Sequence, residues 1–252
     1  MLSLIKKKIL SIRKDKGFME LLNGGSITFI LKIAAMLFSY GAMLFITNYY
    51  GAEEWGLYSI CFTLISMLIL IPKFGFDNGL VRIISALNSQ NKQEEIPRVI
   101  LKAFFISLLI TITVVFVINI FSEQLVLIVL KEPKLIPYIA PISFIVLPTV
   151  VLVIFSATFQ ALKKTKEFML LQSTLVNVVF FFLLILFYSL EVKISAFETY
   201  LYSVFITLII GVLMFLKVFK NFKTKAIIKE EYNYSKIISI SFPMMLSGSI
   251  IM

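Results

Sequence analysis

Six stretches of this chain run for 18 to 28 residues without one charged side chain: Ile33–Ala52, Trp55–Pro72, Ala103–Ser122, Leu135–Leu162, Phe168–Leu190 and Thr199–Leu216. About 20 mostly apolar residues are needed for a helix to cross a hydrocarbon core of about 30 Å, so each run has the length of a membrane span. None shows the strict polar/apolar alternation of a membrane β-barrel strand. The chain is 60% hydrophobic, against roughly 45–50% in soluble proteins. The expected fold class is therefore all-α, a polytopic membrane helix bundle.

A seventh apolar run begins at Ile237 and is still apolar at Met252, the last residue. Sixteen residues fall short of a crossing, and a chain ending there would leave unpaired carbonyls near lipid. This predicts a fragment of a longer protein: six complete transmembrane helices plus the start of a seventh. The organisation expected is a basic cytoplasmic segment over residues 1–25, a six-helix bundle over 26–216, a basic linker over 217–236 and a truncated second bundle from 237. Leu2, Ile5, Ile9 and Ile12 recur at helical spacing among Lys and Arg, the pattern of an amphipathic helix on the membrane surface.

Basic residues sort by side. The segments after the first, third and fifth runs contain only Lys131, Lys134 and Lys193, while the alternate segments contain most of the other Lys and Arg. That asymmetry predicts a multi-pass membrane protein with a cytoplasmic N-terminus. It also accounts for the net charge of +10 without any nucleic acid partner. The chain has no histidine and one cysteine, Cys61, which removes zinc hydrolases, histidine-based triads and an intrachain disulfide. There is no HExxH, no P-loop and no TVGYG-like filter, so neither a metalloprotease, an ATP-driven pump nor a potassium channel is expected. No cofactor and no enzymatic activity are predicted.

An ionisable side chain within a span costs something like 2.5–3.5 kcal/mol, which makes each one informative. Lys32 lies within the first helix, where it either faces a central cavity and holds an anion or snorkels to the interface. After the second run, Lys73 and Asp77 are four residues apart, as are Asn78 and Arg82, and each couple can pair on one helix face. Gly75 and Gly79 flank Asp77 and allow a bend or a close helix contact. Asp77 and Arg82 either line a polar cavity or form an interfacial cluster at the end of helix 2. Pro137, Pro141 and Pro148 are expected to kink the fourth span. Ser173, Thr174 and Asn177 give the fifth a polar face, suited to a cavity or to interhelical hydrogen bonds.

The segment TNYYGAEEWGLYS (Thr47–Ser59), followed by FGFDNGLVRIIS (Phe74–Ser85) and preceded by a basic tail and Gly24-Gly25-Ser26, resembles the start of a polysaccharide flippase of the O-antigen or teichoic acid type. Such proteins belong to the multidrug/oligosaccharidyl-lipid/polysaccharide exporter superfamily. The resemblance implies an N-terminal half of two facing six-helix bundles. It further implies alternating access and an undecaprenyl-pyrophosphate-linked oligosaccharide as substrate. Lys32 and Arg82 are then candidate cations for the phosphate, and Asp77 a candidate for coupling to H+ or Na+. Candidate cavity residues are Lys32, Asp77, Asn78, Arg82 and Asn177. Two other readings stay open: a cation-coupled multidrug exporter of the same superfamily, and a membrane enzyme of envelope polysaccharide synthesis.

Overall fold

The computed structural model describes residues 16–220, 222 and 232–250. The surface helix expected over residues 2–12, half of the linker and residues 251–252 lie outside the described residues. The described part is all-α, as expected, with six helical spans long and apolar enough to cross a membrane: Gly24–Tyr50, Ala52–Ser89, Gln93–Ile120, Pro133–Ala161, Thr165–Ser189 and Ala196–Phe219. The helices are α1 (Lys16–Phe45), α2 (Ala52–Lys73), α3 (Phe76–Ser89), α4 (Ile96–Ile120), α5 (Ile136–Ala161), α6 (Thr165–Met169), α7 (Leu175–Ser189), α8 (Ala196–Phe219) and α9 (Tyr234–Ile250). Helices α8 and α9 both reach into the segment expected as linker.

Most helices outrun the charge-free runs that predicted them. Helix α1 is continuous from Lys16, so Gly24 and Gly25 lie inside it and Lys32 stands well along its length. The second span differs most from expectation. It does not end at Pro72 but resumes as α3, so the Lys73–Asp77 region is a break inside a span and not its terminus. Pro72 has no amide hydrogen for the preceding turn, and Phe74 and Gly75 both take left-handed backbone angles (φ 47° and 71°). By contrast, Pro141 and Pro148 do not divide α5, which remains one helix.

Helix α5 is the axis of the bundle and touches α2, α3, α4, α6 and α8. One face of α3 (Phe76, Leu80, Ile83, Ile84, Leu87) is buried against Val146, Val150, Ile154 and Ala157 of α5. On the other side, Phe159 and Ile142 of α5 join Cys61, Ile65, Phe180, Phe197 and Tyr200. Large side chains such as Phe29, Leu109 and Phe144 remain more than 60% exposed, as a lipid-facing surface requires.

At one end of the bundle the two glutamates of the GAEEWG segment act as ties. Glu53 pairs with Lys134 just before α5, and a Glu54 carboxylate oxygen accepts from the Ala196 amide (2.7 Å) at the start of α8. At the other end, α9 lies on α3. Its seat is Gly75 and Gly79, where an added β-carbon would collide with Ser241 and the Met245 amide. Lys102 of α4 also donates to the Tyr232 carbonyl (2.9 Å), fixing the approach to α9.

Two outcomes follow for thermal melts of the purified protein. Gly79→Ala should destabilise by about 1–3 kcal/mol through overpacking, with partial recovery on adding Ser241→Gly, whereas Gly56→Ala, which meets open space, should be neutral or stabilising. Glu54→Ala, which removes the acceptor at the α8 N-terminus, should cost about 1 kcal/mol.

Candidate functional site

Polar side chains from four helical segments converge on one cavity of about 470 Å³ inside the bundle. Lys73 and Asp77 reach it from the break between α2 and α3, with Asn78 beside them. Helix α5 contributes Thr149, Ser156 and Gln160, which stand seven and four residues apart on one stripe. A π turn, Leu170–Thr174, joins α6 to α7 and brings in Gln172 and Ser173; Asn177 follows one turn later. Phe62 of α2 and Tyr200 of α8 form apolar wall.

A second space, a groove of about 510 Å³, lies along α1. Lys32, Met36, Ser39, Tyr40 and Met43 line it from α1, and Trp55 lines it from α2. Ser173 and Asn177 border both spaces, so cavity and groove share a polar wall.

The charges are arranged unevenly. Lys73 Nζ lies 2.8 Å from Asp77 Oδ2, and Asp77 Oδ1 accepts from the Asn78 amide (3.0 Å). The i, i+4 pair foreseen in the sequence is thus formed, and it leaves the cavity lining close to neutral. Lys32 in the groove makes no ion pair among the described residues. The Thr149 and Ser156 hydroxyls donate to carbonyls of their own helix (2.8 and 2.9 Å), leaving oxygen lone pairs for a ligand donor. The arrangement can therefore hold a ligand rich in hydroxyl groups in the cavity and an anionic group near Lys32.

Of the candidates read from sequence, Asp77, Asn78 and Asn177 line the cavity, and Lys32 and Asn177 line the groove. Arg82 is exposed on α3 and belongs to neither lining. Its spacing keeps it on the same helix face as Asn78 but one turn, about 5.4 Å, farther along α3. Asn177 serves both uses foreseen for it, since its Nδ2 also donates to the Ala35 carbonyl (3.3 Å) and ties α7 to α1. Thr174 does the same toward the Leu31 carbonyl (3.3 Å). Gln172, a neighbour of the polar face foreseen on the fifth span, also lines the cavity, whereas Thr149, Ser156 and Gln160 were missed; these three share one face of the fourth span.

The pair generates a prediction. Lys73 is 15% and Asp77 34% exposed, so each single truncation leaves a partly screened charge in the span. Lys73→Ala and Asp77→Ala should each lower stability by about 1–2 kcal/mol, and the double variant should lose less than their sum, measured by thermal unfolding as a double-mutant cycle.

A family model described as "Polysaccharide biosynthesis protein" matches residues 21–252. No curated protein and no solved structure matches the chain. The six spans and the family match agree: this multi-pass membrane protein belongs to the polysaccharide biosynthesis protein family.

Proposed function

We propose that the protein translocates lipid-linked oligosaccharide, an undecaprenyl-pyrophosphate-linked repeat unit, across the bacterial cytoplasmic membrane. The observation that carries this reading is the division of the site: a near-neutral cavity lined by amides and hydroxyls beside a groove whose cation, Lys32, has no ion-pair partner among the described residues. Sugar hydroxyls match the first and a diphosphate the second. The lipid tail stays in the bilayer, so no long apolar pocket is needed. Moving the headgroup breaks no bond, and the reading is of a transporter and not an enzyme, acting without a cofactor.

Alternating access supplies the mechanism, with this bundle rocking against a second bundle that faces the cavity. Asp77 is the candidate for coupling to H+ or Na+, and its ion pair with Lys73 is what a coupling cation would compete with. The positive-inside distribution supports a cytoplasmic N-terminus. The multidrug reading fits less well. A cationic drug calls for unpaired acid in the cavity, and Asp77, the one acid in the described lining, is held by Lys73.

Cells depleted of the protein should accumulate unflipped lipid-linked repeat units at the inner leaflet, while their sensitivity to cationic dyes stays unchanged. In complemented cells, Lys32→Ala should slow export about tenfold through loss of a charge-assisted contact, and Arg82→Ala should leave it near wild type. Dye hypersensitivity without lipid-linked glycan accumulation would replace this reading with the drug exporter.

A further inference from the structure

Helix α2 carries three rings, Trp55, Tyr58 and Phe62, at spacings of three and four residues that set them on one stripe. Their centroids are 5.4 Å apart for Trp55–Tyr58 and 6.1 Å for Tyr58–Phe62, with planes inclined by only 33° and 27°. Tyr200 closes the row edge-on, 5.7 Å from Phe62 at 77°. The middle of the row is core: Tyr58 is buried and also stacks on Phe180 (5.2 Å). The ends are open. Phe62 is 43% exposed and lines the cavity, and Trp55 lines the groove opposite the exposed Tyr40.

An aromatic residue in the first turn of a span ordinarily sits in the interfacial belt and faces lipid headgroups. Trp55 instead borders the same space as Lys32, Ser39 and Asn177. Seven helical residues separate Trp55 from Phe62, about 10 Å of rise, roughly the span of two linked pyranose rings. The C–H bonds on the apolar face of a pyranose carry partial positive charge and settle on the negative face of an aromatic ring. Asn177, which touches both spaces, is placed to bond hydroxyls at the ring edge.

We infer that Trp55 and Phe62, with Tyr40 across the groove, form a stacking rail that holds the sugar rings of the substrate between cavity and groove. The inference rests on the proposed function and names the residues that recognise the glycan as distinct from its diphosphate. A diphosphate has no apolar face and gains nothing from the rail. Tyr58 and Phe180 act beneath it, holding the ring planes in place.

Trp55 is the single tryptophan of the chain and so reports directly on its own site. The test titrates the full chain, purified into lipid nanodiscs, with two probes. One is undecaprenyl-diphosphate-linked oligosaccharide purified from membranes of the cells that make this protein, and the other is glycan-free undecaprenyl diphosphate. The oligosaccharide should change Trp55 emission saturably, and the glycan-free carrier should bind, by equilibrium retention, without that change. Phe62→Leu, which retains the Trp55 reporter, should weaken oligosaccharide binding roughly five- to tenfold and leave carrier binding unaltered, with Phe62→Tyr restoring it. Oligosaccharide binding that perturbs Trp55 no more than the carrier does, or that survives Phe62→Leu unchanged, would overturn the rail while leaving the transport reading intact. Failure of the wild-type chain to bind either probe would overturn both.

Discussion

Inside lipid a backbone N–H or C=O has no water to bond, so a helix can be interrupted only where protein or an aqueous space receives the freed groups. That constraint organises this bundle. Among the described residues, the interruptions within spans fall at the break around Phe74–Gly75 and at the π turn Leu170–Thr174, with a further π turn, Ile46–Tyr50, at the end of α1. The first two both border the cavity. Each is also covered on its other side, the break by Ser241 and Met245 of α9 and the π turn by α1 through Thr174. Helix interruptions and polar side chains thus arrive at the cavity together, because the same space that tolerates irregular backbone also solvates amides.

The electrostatics follow from the same economy. Two lysines and one aspartate lie along the cavity and groove, and only Lys73 and Asp77 are close enough to neutralise each other. Pairing lowers the cost of placing charge within a span, and the pair's partial exposure keeps it responsive to whatever fills the cavity. Lys32 reaches its groove from a helix that packs mainly on α6 and α7, so its α1 stripe is left open. The result is one cation set apart from a neutral, hydrogen-bonding interior, a polarity matched by a ligand with an anionic end and an uncharged glycan.

Span number and order were legible because they depend on the length of apolar runs, and each of the six runs falls on one observed span and overruns it by at most two residues. Span ends were not. The rule that charge ends a membrane helix placed the terminus of the second at Pro72, yet the helix resumes at Phe76 because Lys73 and Asp77 neutralise each other and α3 buries its apolar face on α5. Likewise α1 continues through Gly24-Gly25, part of the family resemblance, with Gly24 in ordinary contact with Thr165. The prolines of α5 leave that helix continuous, packed on five neighbours. Asp77, Asn78, Lys32 and Asn177 could be picked out because charge and amide are rare in such runs. Gln160 and Ser156 could not, since their meaning depends on which face of α5 is turned inward.

The motifs that carried the family resemblance turn out to build the frame more than the chemistry. Glu53 and Glu54 tie α2 to Lys134 and to the N-terminus of α8, and Gly75 and Gly79 seat α9. A tie of this kind depends on its partners, so such residues keep the geometry of a bundle whatever it carries. Thr149, Ser156, Gln160 and Gln172, which present the cavity's hydrogen-bonding groups, lie outside every one of those segments. Asp77 and Trp55 stand within the motifs and on the linings at once. Asp77 sits where the α2–α3 break meets the cavity and Trp55 where the Glu54 tie meets the groove, so at those two positions a change in the frame reaches the linings directly.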